Sequence, residues 1–394
     1  MGKSHRLTIT IAALSVLILV GLTVCSSRDV SLTAAPSTGT ASRSGPAATA
    51  QPASPPASPS TPSSQLVSEP ITPYGPRTFQ KGIAFTGYGR HSYEGEGPLV
   101  SLRELKETNA TWISVLVTGY QPTTASTAID RTGTGTPTDD SVRRVIQEAH
   151  VLGLKVMLKP HVDLWAEPNR WRGQIGLGFS EGDWPVWFAS YREFILHYAR
   201  MAFETSCELF SVGCELNGTV DQVGEWRATI EQVRQVYRGP LIYADDQVEN
   251  APDAVTWWDA LDYIGQDAYP TLSQMPRPTI SDLCEGWVAY REKLWGLSQK
   301  WGKPVVITEI GYRSVKGGAQ NPWDWQRTGP VDLTVQRKAY EAALRMVAGV
   351  NFIAGMYWWQ WSPDPNDGGP NDTGYSPHGK PAEASLRTRY KHVM

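Results

Sequence analysis

The chain has 394 residues with 36 basic and 39 acidic side chains, a formal net charge of −3 and no long run of one sign. That balance excludes the electrostatic footprint of a nucleic-acid binder, and 4 scattered Cys exclude a disulfide scaffold or a structural zinc site. The informative bias is 16 Trp and 16 Tyr against 8 Phe, because both rings pair a flat apolar face with a polar edge and suit stacking on sugars as well as core packing.

Residues 1–25 place Lys3, His5 and Arg6 ahead of an uncharged run from Leu7 to Val24, the pattern of a signal peptide or membrane anchor. The run exceeds the ~7–15 residues of a cleaved signal and approaches the ~18 that can span a bilayer. Leu22-Thr23-Val24-Cys25 also resembles a lipoprotein box, with Val24 where a small residue is usual. Residues 26–76 are rich in Ser, Thr, Ala and Pro, cannot form a core, and read as a disordered linker. The expectation is an exported, extracytoplasmic protein, tethered to the membrane or secreted, whose folding unit is 77–394. Nothing in the sequence calls for assembly beyond a monomer.

From residue 77 onward, short apolar runs alternate with helical patterns. Strands are expected over Lys81–Thr86, Trp112–Thr118, Leu154–Leu158, Leu209–Glu215, Pro240–Asp245, Tyr263–Ala268, Pro304–Glu309 and Phe352–Trp359. Helices are expected over Leu99–Thr108, Asp139–Leu152, Trp184–Phe203, Trp226–Tyr237, Ile280–Lys300 and Val335–Ala348, with a Trp-rich segment around Trp257 between the fifth and sixth strands. This alternation predicts an α/β fold, a (β/α)8 TIM barrel. An open doubly wound sheet is disfavoured because no Gly-rich phosphate loop follows the first strand.

Such barrels carry their chemistry at the C-terminal strand ends. There, Val212-Gly213-Cys214-Glu215 and Ile307-Thr308-Glu309 each deliver a carboxylate from a buried apolar run. Lys159 and His161 share one side of the third strand with Asp163 and Trp165, an arrangement that is costly inside a barrel unless it serves a site. Asp267 and Tyr269 end the sixth strand, and Asp245-Asp246 end the fifth, where they read as partners of sugar hydroxyls or supports for the pair. Glycosidic hydrolysis needs one protonated and one ionised carboxyl, and Glu215 with Glu309 across the mouth meets that need.

The motifs KGIAF, LKPHVDLW followed by WRG, VGCELNG, QDAYP, ITEIGYRS, YWWQW and the tail GYSPHGKPA make the body, from about Phe79 to Tyr390, resemble glycoside hydrolase family 113, whose characterised members include β-mannanases. The resemblance implies a retaining endo-β-1,4-mannanase, with Glu215 as acid/base and Glu309 as nucleophile. It also implies sugar contacts at Lys159, His161, Trp171, Arg172, Asp267, Tyr269, Trp359 and Trp361, with Asp246 beside them. Cys214 stands where many relatives in the wider group carry Asn, and Asp245-Asp246-Gln247 replaces an Asn-and-aromatic pattern. The alternatives are another β-linked glycan, exo-action, or a surface glycan-binding protein without catalysis, though a binder has no need of both glutamates.

No cofactor and no metal are expected. Asp364-Pro365-Asn366-Asp367-Gly368 lacks the spacing and closing Glu of a calcium loop and reads as an exposed turn. Along a continuous strand Cys207 and Cys214 would lie roughly 23 Å apart and could not bridge. Pairing of Cys207 with Cys284 stays open.

Overall fold

The structure, a computed structural model, describes residues 78–392. The signal or anchor segment and the linker lie outside these residues. Among the described residues no helix is long and apolar enough to cross a membrane.

Eight parallel strands close into a barrel in chain order: β1 (Gln80–Phe85), β2 (Trp112–Gln121), β3 (Lys155–Leu164), β4 (Leu209–Cys214), β5 (Leu241–Asp245), β6 (Tyr263–Asp267), β7 (Val305–Ile310) and β8 (Ile353–Trp361). Helices α1 (Gly97–Lys106), α2 (Asp139–Val151), α3 (Asp183–Glu204) and α4 (Val223–Val236) follow the first four strands, and α5 (Ile280–Trp301), α6 (Leu333–Val347) and α7 (Pro381–His392) follow the last three. Between β5 and β6 the chain makes only a 3₁₀ turn at Trp258–Ala260. Helix α7 was not expected, because its periodicity is weak. It docks through Ala382, Leu386 and Tyr390, and the Tyr390 hydroxyl donates to the Gly82 carbonyl at 3.1 Å.

The helix ends follow local chemistry. Thr279 and Asp282 form a reciprocal capping box on α5, which stops at Gly302 in the left-handed conformation, φ 62°. Thr138 caps α2 and Asp332 caps α6.

Strand β3 runs further than its apolar stretch. Its ladder with β2 is unbroken from Lys155 to Leu164, whereas it pairs with β4 only at Met157 and Leu158. From Lys159 onward it is therefore an edge toward β4, a position that tolerates Pro160. The extension projects Lys159 and His161 inward, because alternate residues share a face.

The barrel interior has two layers. Trp112, Met157, Leu209, Ile242, Val306, Ala354 and Tyr357 form an apolar plug near the strand starts. Gly82 makes room for it, since a Cβ there would fall 2.3 Å from the Tyr357 ring. Above the plug sit the buried polar groups Lys159, His161, Asp267 and Glu309. The outer core fills the space between strands and helices.

Behind β4 stands an aromatic wall. Trp226 of α4 stacks on Trp257 with centroids 4.7 Å apart and meets Phe188, Tyr191 and Tyr243 edge-on. The Tyr191 hydroxyl donates to the Val212 carbonyl at 2.6 Å, tying the wall to the strand. Truncating Trp226 to Ala is expected to lower the unfolding free energy by about 3–5 kcal/mol. Urea titration should show an earlier midpoint with an unaltered slope, and an unmoved midpoint would mean that the wall does not support β4.

Candidate active site

Both strand-end glutamates follow an irregularity in their sheet. Between Ser211 and Cys214, β4 carries one residue more than β5 opposite it, and β7 gains one against β6 just before Glu309. Such bulges re-aim the side chains that follow them. In β7 the outcome is that Thr308 and Glu309 both serve the interior, where strict alternation would admit only one. Glu215 lies just past β4 in the left-handed region, φ 51°, with its N–H donating to the Ala244 carbonyl at 2.8 Å. That backbone state costs a non-glycine residue roughly 1–3 kcal/mol and commonly marks a functional site.

Glu309 is almost fully buried. Lys159 Nζ donates to its Oε1 at 2.5 Å and the Tyr269 hydroxyl donates to its Oε2 at 3.0 Å. Donors to both oxygens match an ionised carboxylate, which only accepts. Lys159 also reaches both oxygens of Asp267, at 3.2 and 3.3 Å. Burial opposes the charge on Lys159, but the carboxylates of Asp267 and Glu309 override it and hold the ammonium protonated. Asp267 is further bonded by Thr308 Oγ1 at 2.7 Å and by the Cys214 thiol at 3.4 Å.

Glu215 sits in a different field. Burial pushes its carboxyl up to about 8, against the pull of Arg172 and with the help of Asp246 and Glu309. Arg172 bridges two acids, with Nη1 at 2.7 Å from Glu215 and Nη2 at 3.0 Å from Asp163. Asp246 accepts from Asn217 Nδ2 at 2.8 Å, and burial pushes it up to about 7. Asp245 serves as a support, held by Gln266 at 3.0 Å and Gln247 at 3.2 Å. His161 is buried with Nε2 lacking a hydrogen-bond partner and lying 3.8 Å from Glu309. Burial, Arg172 and Lys159 hold its pKa well below the usual value, so it is neutral.

Cys214 occupies the centre. Its Sγ lies within 4.8 Å of carboxylate oxygens of both Glu215 and Glu309. His161, Cys214 and Glu309 converge as metal ligands could, as do Cys214, Glu215 and Asp267. The cation of this cluster is Lys159 itself, already bonded to Glu309 and Asp267. Burial drives the Cys214 thiol well up from its usual range, so it is a neutral donor here. Cys207 and Cys284 are both free thiols, so they do not pair.

Of the residues singled out from sequence, Glu215, Glu309, Lys159, His161, Arg172, Asp246, Asp267 and Tyr269 gather here. Trp359 joins them, parallel to the His161 ring with centroids 6.4 Å apart. Trp171 is on the loop beside Arg172 and is exposed, its indole lying over Gly173. Trp361 does not join them: it is fully buried, donates to Ser101 Oγ at 2.9 Å and packs on His378. Sequence alternation puts it on the face of Trp359, but β8 gains a residue against β1 between Trp358 and Trp361, which turns Trp361 outward to α1. The Asp364–Gly368 segment is a turn, closed by the Asp367 N–H on the Asp364 carbonyl at 3.1 Å.

Sequence reasoning missed Thr308, Asn217 and Tyr375 as members of the surroundings. Tyr375 meets Tyr269 edge-on at 6.4 Å, and only its place in the GYSPHGKPA tail pointed to it. Trp361→Phe is expected to lower the thermal midpoint while leaving kcat/KM within about twofold, whereas Trp359→Ala should lower kcat/KM about tenfold or more. Equal losses of activity in the two variants would return Trp361 to the mouth.

Residues 84–380 match the profile of glycoside hydrolase family 113. A solved family 113 β-1,4-mannanase is 30% identical with a TM-score of 0.72, covering 80% of this chain and 99% of that one. A family 113 β-mannanase from Alicyclobacillus acidocaldarius is 29% identical with a TM-score of 0.72, over 80% of this chain and 98% of that one. A family 5 mannosidase from Rhizomucor miehei, 10% identical with a TM-score of 0.55 over 81% of this chain and 94% of that one, shares the fold alone. No curated protein matches the chain significantly.

Proposed function

We propose, from the premise that the chain belongs to glycoside hydrolase family 113 and is a glycoside hydrolase, that it is an endo-acting β-mannanase cleaving β-1,4-linked mannan with retention, through Glu215 and Glu309. The observation that carries the residue roles is the contrast between the two carboxyls. Glu309 has donors on both oxygens, while burial pushes Glu215 up to about 8. One is fitted to attack as an anion and the other to arrive carrying a proton.

In this reading Glu309 attacks the anomeric carbon and Glu215 gives its proton to the departing oxygen. The glycosyl–Glu309 ester is then hydrolysed by a water that Glu215 deprotonates, restoring both groups. Lys159 and Tyr269 hold Glu309 in line and receive it again as charge returns. Above about pH 7, where Asp246 is ionised, its negative charge helps keep the Glu215 proton in place. Arg172, bonded to Glu215, favours its anion and so assists the second half-reaction.

The mannan assignment rests on the family 113 β-mannanases similar to this chain. The test is hydrolysis by the full chain of mannan, glucomannan, xylan and cellulose oligosaccharides, with early products examined by NMR. Release of β-anomers from β-1,4-mannan first is expected, and initial α-anomers would exclude retention. Glu309→Ala and Glu215→Ala should each cut turnover by about 10² or more, and near-normal rates in both would remove the pair from the chemistry.

Because the first step needs protonated Glu215, kcat/KM is expected to fall as pH rises through about 8. The Asp246 carboxylate disfavours the Glu215 anion, so Asp246→Asn should lower the Glu215 pKa and shift the alkaline limb to lower pH. A limb that stays put or moves upward would show that another group sets it.

Export on a tether is proposed from the run Leu7–Val24 and the linker 26–76. Expressed in full, the protein should fractionate with membranes. Retention there of Cys25→Ser would indicate a helical anchor rather than lipid.

A further inference from the structure

Half of the tryptophans of the described region are buried, yet Trp165, Trp323 and Trp325 are 66%, 61% and 69% exposed. All three lie on loops that leave the C-terminal ends of strands, Trp165 after β3 and the other two between β7 and α6. Two bare indoles one residue apart are an apolar surface that packing within the fold does not explain.

The backbone beneath them is fixed. Trp325 N–H donates to the Trp323 carbonyl at 2.9 Å and Asp324 N–H to that of Asn321 at 3.0 Å. Arg313 Nη1 donates to the Trp325 carbonyl at 2.8 Å and also to that of Arg327. The loop is tied to the reaction centre as well. The Tyr375 hydroxyl donates to the Pro322 carbonyl at 2.6 Å, the Tyr375 ring stands edge-on to Tyr269, and Tyr269 donates to Glu309. A pinned backbone that presents uncovered indoles at the catalytic end of a barrel suits a flat ligand that stacks and continues into the mouth.

From this geometry we infer that Trp323 and Trp325 form a distal subsite that stacks on pyranose units of the substrate chain, away from the bond being cleaved. The ligand is a β-linked oligosaccharide long enough to pass Tyr269, so the inference rests on the glycan-hydrolase reading and extends it to chain length.

The test compares Trp323→Ala/Trp325→Ala with the unaltered full chain on a short aryl β-mannoside and on mannohexaose. The expected result is a rise of about tenfold in KM for the hexasaccharide, with its kcat and the short-substrate kcat/KM within about twofold. Trp325→Tyr, which keeps a stacking face, should recover most of the lost affinity. In the Glu309→Gln background, mannohexaose should change the tryptophan emission, and the double substitution should abolish most of that change. Equal losses on both substrates would reduce the loop to a support for Tyr269, and an unchanged hexasaccharide KM would remove the subsite. Dissociation of a dimer by the double substitution would show that a second copy covers the indoles, which also overturns the inference. If the unaltered protein cleaves another β-glycan and not mannan, the mannan reading fails separately, and the same length comparison is made on that glycan.

Discussion

A lysine ammonium buried on the inside of a barrel is the constraint from which the rest of the site follows. Taking an ion out of water costs several kcal/mol even after relaxation, and the cost is tolerated only where opposite charge and hydrogen bonds replace hydration. Lys159 finds both in Glu309 and Asp267, and its charge opposes the burial that pushes the Asp267 carboxyl up to about 8. The apolar plug of Trp112, Met157 and Tyr357 lines the interior beneath the cluster and shields it from water on that side. The low polarity that results strengthens each charge contact, and it is also what raises the carboxyl of Glu215.

The second constraint is geometric. A regular parallel barrel alternates inward and outward residues, which limits how many side chains one strand can send to its mouth. The bulges ahead of Glu215 and Glu309 relax that limit where the two acids are needed. They let Thr308 brace Asp267 while its neighbour Glu309 faces the same space. Cys214, beside the acid/base candidate, gives Asp267 a weak neutral donor at 3.4 Å.

Support and access are divided between the two sides of the sheet. Behind β4, stacked and edge-on aromatics from α3, α4 and the β5–β6 connection fix the strand that leads into Glu215. That packing is dense enough for a 3₁₀ turn with Trp257 and Trp258 to replace the helix usually found there. On the Trp323–Trp325 loop at the open end the indoles are bare, and their backbones are held by polar bonds instead. The same residue type thus fills the wall and stands uncovered at the catalytic end of the barrel.

The alternation of apolar runs with helical periods was enough, by itself, to determine the barrel, because strand and helix differ in period and eight repeats leave little freedom in topology. It also determined that Glu215 and Glu309 stand at strand ends and that Lys159 and His161 share a face, since these follow from local spacing. Tertiary structure alone decided that Lys159 bonds both Glu309 and Asp267, and that Trp361 turns outward while Trp359 faces the mouth. It likewise decided that β3 runs on past Pro160 and that α7 closes the fold. The physical reason is common to all of these. Bulges, edge positions and ion pairing depend on what the neighbouring strand supplies, and that neighbour is distant in sequence.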